Sequence, residues 1–287
     1  MSNLESKSCR VCSVEVKPIL EVRHWPLSQC PECRLVQVAR KPSAQELEEI
    51  YSSHYFTSDK YENTLPLEKE NQRRLSLLQN CGLKKGDSVL EIGCATGTFL
   101  EKITSDFDVY AMDYSQDSIN EVKRKNPSLA DRLKAGPIEE LSYPAQAFDA
   151  IVMWDVLEHL WDVKAVAEQL KTWLKPGGFL LISSPDIGAP LAQISGSRWA
   201  FMTPPEHLTF FSKKSLARLF QPLDFKTVVF FRRGKWANFA FLLYKLGRVF
   251  PGFGRLKLHE KLPKFLSRRS LYVPTNDIFY AVLQKGH

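Results

Sequence analysis

Two groups of residues could do chemistry by their types and spacing. Cys9 and Cys12 form one C-x2-C pair and Cys30 and Cys33 another, with 17 residues between the pairs. Two such knuckles can set four thiolates around one Zn²⁺ at about 2.3 Å. An ion ligated by four thiolates has no open position, so this zinc would be structural rather than a Lewis acid. It would staple a segment of about 40 residues that is too small to build a core alone. The alternatives are a redox C-x-x-C, which wants a strand–helix context that this segment lacks, or four unligated thiols. The other two cysteines, Cys81 and Cys94, read as small packing residues without a His partner nearby in sequence.

The second group lies in "VLEIGCATGTFL", residues 89–100, where an apolar run carries Glu91 at its end and turns through Gly93 and Gly97. A dinucleotide fingerprint needs G-x-G-x-x-G, but here three residues separate the first two glycines. The glycines let backbone approach a ligand closely, and a following helix would offer N–H donors. Glu91 would repel a pyrophosphate and welcome an amine or a sulfonium. Asp113 stands 22 residues further on and closes the next apolar run, where a carboxylate grips ribose hydroxyls. A ligand with a ribose, a cationic end and no phosphate suits both acids, and S-adenosylmethionine is such a ligand. The competing reading is a turn in a non-binding α/β protein.

The elements that must position these groups follow from periodicity. Short strands, "VKPILEV" and "RLVQVAR", surround the cysteine pairs, and "SAQELEEIY" reads as a helix with a capping box from Ser43 to Glu46. A second helix, "EKENQRRLSLLQNCG", ends at Gly82. From Lys84 strands alternate with helices: "DSVLEIG", "TGTFLEKITS", "DVYAMD", "SQDSINEVKRK", "FDAIVMW", "VKAVAEQLKTWL" and, after a turn "KPGG", "GGFLLISSP". That alternation predicts a doubly wound, mainly parallel sheet with its ligand crevice at the strand C-termini. After Pro185 the rhythm breaks into a helix capped by Ser212, a strand "FKTVVFFRR" and a last strand "DIFYAVLQK".

Residues 84–185 resemble the class I S-adenosylmethionine-dependent methyltransferases. "VLEIGCATGTFL", the acid of "YAMDYS", "FDAIVMWDVLEHL" and "LKPGGFLLISSP" stand in that family's order. The resemblance implies a Rossmann-like, seven-stranded sheet whose last strand is antiparallel. It divides the chain into a zinc-ribbon-like module at 1–42, a helical connector and pocket lid at 43–82, and a catalytic domain at 83–287. Cap insertions are expected at 186–212 and 234–272. By the same resemblance Glu91, Gly93, Cys94 and Gly97 cradle the methionine end, Asp113 binds the ribose, and Tyr114 lies beside the adenine. Pro137 stands where the family often has an acid for the adenine amine, leaving the N–H of Ile138 for that contact. Trp154 and Asp155 would border the methionine tail and the substrate mouth.

The stretch "RWAFMTPPEHLTFFS", 198–212, resembles the zinc-bearing branch that includes sugar C-methyltransferases, where an E-H pair supplies the base. That role carries over to Glu206 and His207. Pro204 and Pro205 replace that branch's Tyr and His, which argues against C-methylation of a sugar. His207 as a loop-pinning residue is the alternative. His159 reads as structural at a helix start, while His54, Tyr55 and Tyr61 could line the pocket. "WDVL" stands where an N-P-P-Y tetrad would mark transfer to a base amine.

Charge is uneven. From Lys213 onward sixteen Lys and Arg face three acids, +13, so the preceding residues carry −6 of the overall +7. In 236–269 basic residues interleave with Trp, Phe and Leu, which reads as an interfacial element or acceptor lid rather than a nucleic-acid surface. With no signal-like start and no long apolar run, the expected location is cytoplasmic, with peripheral membrane contact through 236–269. The expected acceptor is a small molecule, glycan or amphipathic lipid-linked metabolite, methylated at oxygen. Rival expectations are a sugar C-methyltransferase, an RNA methyltransferase and a cofactor-binding regulator without turnover.

Overall fold

The computed structural model describes residues 7–43, 45–46, 65–238, 243 and 270–287. His54, Tyr55, Tyr61 and most of the 236–269 stretch lie outside the described residues.

Seven strands form the main sheet. They are β4 (Ser88–Ile92), β5 (Asp108–Asp113), β6 (Leu133–Ala135), β7 (Phe148–Trp154), β8 (Leu174–Pro185), β10 (Phe225–Asn238) and β11 (Ser270–Lys285). Their spatial order is β10-β11-β8-β7-β4-β5-β6, with β11 antiparallel to both neighbours and the rest of the ladder parallel. The doubly wound, mainly parallel sheet is the one that the strand–helix alternation predicts, and its seven strands with an antiparallel last strand are those that the resemblance implies. The central strands are near-continuous apolar runs because helices cover both faces; β7, "FDAIVMW", is buried at six of its seven positions.

Six described α-helices are α1 (Leu65–Gln79), α2 (Leu100–Ile103), α3 (Gln116–Lys125), α4 (Val163–Trp173), α5 (Pro190–Ser195) and α6 (Lys213–Phe220). Local capping explains several starts. Ser115 accepts from Ser118 N at 3.2 Å, Asp162 accepts from Ala165 N at 3.1 Å, and Ser212 and Ser215 cap each other reciprocally. The Ser43–Glu46 box also forms, each side chain accepting from the other's backbone N–H at 3.2 and 2.8 Å.

Three local expectations change. The helix read over "TGTFLEKITS" shrinks to the single turn α2, because Gly97 takes φ +78° and cannot continue a right-handed helix. "KPGG" lies inside β8 rather than before it. The ladder passes from Phe148↔Leu174 to Ala150↔Phe179, so the extra residues bulge out between the two pairs. The insertion expected at 234–272 is ladder at both ends, since Asn238 pairs with Ser270 and Lys235 with Val273.

A second sheet joins β1 (Lys17–Val22), β2 (Trp25–Gln29) and β3 (Val36–Val38) to β9 (Thr209–Phe210). The N-terminal module is therefore not a bead on a tether; its sheet is completed by the cap. Val38 N donates to Leu208 O at 3.0 Å, and the Arg10 guanidinium bridges Leu208 O and Val38 O while stacking on Trp161. Trp25, Leu27 and Val38 share one apolar cluster with Trp199, Met202 and Phe210 of the cap. Among the described residues no helix is long and apolar enough to cross a membrane.

Candidate functional site

The crevice opens where β4 and β5 end. Gly93 and Cys94 donate to Met112 O at 2.8 and 3.1 Å, tying the glycine bend to the tip of β5. Asp113, 5% exposed, accepts from Ala95 N at 2.8 Å and Ser115 N at 2.9 Å, so its carboxylate is clamped in one orientation. Burial raises the Asp113 pKa against those two bonds. Tyr114, the next residue, is half exposed over the opening. Ile138 begins a 3₁₀ turn two residues after Gly136, whose N–H donates to Asp113 O at 3.0 Å, so this turn borders the same strand end. Cys94 points its side chain into the core, where burial pushes its thiol pKa well up; its backbone alone borders the bend.

Gly93 adopts φ +76°, and a Cβ there would collide with Val156 Cγ2. Gly82 has nearly the same positive φ, +74°, but open space around it. Gly93→Ala is therefore expected to cost about 2–3 kcal/mol of stability against about 1 for Gly82→Ala. Chemical denaturation of both variants measures the difference, which isolates the contact with Val156.

Glu91 is 3% exposed and its Oε2 has no hydrogen-bond partner among the described residues. Burial drives its pKa well above the carboxylate range; Asp113 adds to this and Arg74 opposes it. Trp154 packs edge-on against Phe99 at 5.5 Å and leaves its indole Nε1 without a hydrogen-bond partner among the described residues. Asp155 sits in the left-handed region at φ +57°. It accepts from Ser183 Oγ at 3.1 Å, pairs with Arg74 at 2.9 Å and lies 3.8 Å from Lys235. Burial would raise the Asp155 pKa, but Lys235 and Arg74 together hold it below the usual value.

Arg74 is the site residue that sequence reading missed. It projects from α1 with its guanidinium 5.5 Å from the Trp154 ring, and its Nε is buried with no hydrogen-bond partner among the described residues. Asn71, one turn earlier, accepts from Arg74 at 3.3 Å and donates to Thr98 Oγ1 at 3.2 Å, which fastens α1 over the bend. The available signal was positional. Asn71, Arg74, Leu75 and Leu78 share the i, i+3, i+4, i+7 stripe, and two polar residues on the inward stripe of a helix call for a polar partner.

On the other side of Asp155 the cap meets the turn after β7. His207, 7% exposed, donates its Nδ1–H to Phe201 O at 2.8 Å. Burial, with His159 adding, pushes its pKa down to about 3, so it is neutral at any ordinary pH. His159 donates its Nδ1–H to the backbone carbonyl of Glu206 at 2.7 Å, and the two imidazoles meet edge to face at 4.9 Å. The Glu206–His207 pair thus engages His159 through the Glu206 carbonyl and the His207 ring. Glu158 is buried beside them and accepts from Ser184 Oγ at 2.9 Å; burial and Asp155 push its pKa up to about 8.

In the N-terminal module the four thiols converge. Their sulfurs lie within 4.8 Å of one another, with Cys9–Cys33 at 3.5 Å and Cys12–Cys30 at 3.3 Å. Val11 N and Cys33 N point at Cys9 Sγ and Cys30 Sγ, both at 3.4 Å, as amides do towards metal-bound thiolates. This donor set fits a tetrahedral zinc.

Residues 66–229, more than half of the chain, match the family model described as a methyltransferase domain. The chain belongs to this methyltransferase family. The matched segment of this methyltransferase domain begins after the cysteine module. A probable S-adenosylmethionine-dependent methyltransferase of Mycolicibacterium smegmatis is 31% identical over 102 residues, 35% of this chain and 39% of that protein. A ubiquinone biosynthesis O-methyltransferase of Coxiella burnetii is 29% identical over 146 residues, 49% of this chain and 62% of that protein. The methyltransferase chain thus spans less than two thirds of the length of both relatives. The YcgJ protein of Bacillus subtilis has the same fold, with a TM-score of 0.55 at 14% identity over 75% of this chain and 99% of that one.

Proposed function

We propose that this chain transfers a methyl group from S-adenosylmethionine to a hydroxyl of a small-molecule, glycan or lipid-linked acceptor, with Cys9, Cys12, Cys30 and Cys33 holding a structural zinc. The observation that carries the cofactor is a trio of buried polar atoms without a hydrogen-bond partner among the described residues: Arg74 Nε, Trp154 Nε1 and Glu91 Oε2. Two donors and one acceptor beside a glycine bend are what an amino-acid zwitterion needs, and leaving them unpaired is costly. Bound S-adenosylmethionine supplies an electrophilic methyl group on a sulfonium. Glu91 accepts from the ammonium, Arg74 and Trp154 donate to the carboxylate, and Asp113 accepts from the ribose hydroxyls. Tyr114 and the Ile138 turn border the adenine. Across Asp155, the Glu158–His159–His207 group handles the acceptor's proton. The buried, low-pKa His207 acts there through His159 rather than as a free base.

For the acceptor, support comes from the name of the Coxiella burnetii relative, a ubiquinone biosynthesis O-methyltransferase, and from the basic, apolar composition of 236–269. Incubation with methyl-labelled cofactor and a fractionated extract tests the reading. Label in the lipid or small-metabolite fraction bears it out, and label in RNA, or none at all, overturns it.

The raised Glu91 pKa has a thermodynamic consequence. Burial and Asp113 disfavour the Glu91 carboxylate in the free protein, whereas a cationic ligand favours it, so binding lowers the Glu91 pKa and is coupled to proton release. Affinity is therefore expected to increase as pH rises, by up to about tenfold per pH unit below the free-state pKa. Calorimetry in buffers of different ionisation enthalpy measures the proton release, which Glu91→Gln should abolish.

A further inference from the structure

Glu158 and His159 come from the turn after β7 and His207 from the cap, yet a ligand atom from each lies within 4.8 Å of the other two. Each imidazole spends its Nδ1–H on a backbone carbonyl, His159 on Glu206 O at 2.7 Å and His207 on Phe201 O at 2.8 Å. A carbonyl can only accept, so Nδ1 carries the proton in each ring and Nε2 is the ring atom that would ligate a cation. Rings oriented in this way, by donating the other N–H to a backbone carbonyl, are typical of histidines that ligate metals. The backbone around them is pinned as well. Leu208 N donates to Glu158 O at 2.8 Å, His159 N to Val156 O at 2.9 Å and His207 N to Thr203 O at 3.1 Å.

We propose that Glu158, His159 and His207 form a second metal site, distinct from the four cysteines, for a divalent first-row cation such as Zn²⁺ or Fe²⁺. Two histidines and one carboxylate are a donor set of catalytic zinc and non-haem iron centres, and three ligands leave coordination positions open. Ligands at about 2.0–2.2 Å from a tetrahedral ion sit about 3.4 Å apart, so side-chain rotations of about 1 Å would close the present spacing. The cation also gives the buried Glu158 carboxylate a countercharge, which Ser184 by itself does not. The consequence for catalysis rests on the reading above. An acceptor hydroxyl entering an open position loses its proton to water more readily, and its oxygen keeps the electron pair that attacks the methyl carbon as the carbon–sulfur bond breaks towards sulfur.

Co²⁺ is a suitable probe, since ligation by nitrogen and oxygen differs spectroscopically from ligation by four thiolates. The expected result on the purified full chain is one Co²⁺ bound with weak visible bands and without strong thiolate-to-cobalt charge transfer. Glu158→Gln and His159→Ala should weaken that uptake at least tenfold. Glu158→Gln preserves volume and can still bond Ser184, so its melting curve should stay close to that of the unaltered protein. Two results would overturn the proposal: uptake showing the four-thiolate spectrum alone, or full uptake in both variants. Calorimetry with S-adenosylmethionine on the same samples reports separately on the methyltransferase reading.

Discussion

Asp113→Ala is expected to weaken S-adenosylmethionine binding by roughly two to three orders of magnitude. The Asp113 carboxylate is aimed by two backbone N–H groups, from Ala95 and Ser115, and keeps lone pairs for two ribose hydroxyls. Hydrogen bonds to a charged acceptor contribute about 1.5–3 kcal/mol each, and two of them account for the expected loss. Stability should fall much less, by about 1–2 kcal/mol, because Ala95 and Ser115 are half-buried and water can replace part of what the carboxylate offered. Isothermal calorimetry and a melting curve on the same sample separate the two quantities. Asp117→Ala, at an exposed position on the first turn of α3, serves as the control and should leave affinity unchanged. An Asp113→Ala protein that binds the cofactor as tightly as the unaltered chain would remove the ribose contact from the proposal.

Removing metal from the four cysteines should have the larger structural effect. Structural zinc contributes about 10–16 kcal/mol of apparent binding free energy in small zinc-dependent modules. The present module also packs on the cap, so the expected loss is several kcal/mol rather than the whole. The damage should not stay local. Cys9, Cys30 and Cys33 belong to the same apolar cluster as Leu35 and core residues of the main domain such as Phe220 and Leu160. From β3 the connection runs through Val38 N to Leu208 O, and from Leu208 N to Glu158 O. Chelation, or Cys33→Ser, should therefore speed hydrogen exchange at Val38 and Leu208 as well as around the cysteines, and lower the melting temperature. Metal analysis should find one zinc per chain fewer in Cys33→Ser than in the unaltered protein, and restoring Zn²⁺ should reverse the change in the chelated protein. Zinc absent from the purified protein, with a melting curve indifferent to chelator, would count against a structural ion.

How much of this was legible in the sequence depended on the range of the interaction. The Ser43–Glu46 and Ser212 caps involve residues three apart, and both form as read. The hairpin from β1 to β2 was not read, because its turn residues, Arg23 and His24, take φ +52° and +64° without the Asn-Gly signal that such a turn usually carries. The pairing of β3 with β9 joins residues more than 170 positions apart through a two-residue strand, which no periodicity can announce.

The sequence alone determined the alternating α/β sheet, the acids at the tips of β4 and β5, the glycine bend between them and the two cysteine knuckles. Each of these is written in a window of a few dozen residues, where side-chain type and spacing dictate the local backbone. Tertiary structure decided the rest. It placed Arg74 of a distant helix beside Asp155, made the cysteine module continuous with the cap, and gathered Glu158, His159 and His207 at one point. Those arrangements depend on which buried polar groups must find one another once water is excluded, and that is settled only when the elements pack.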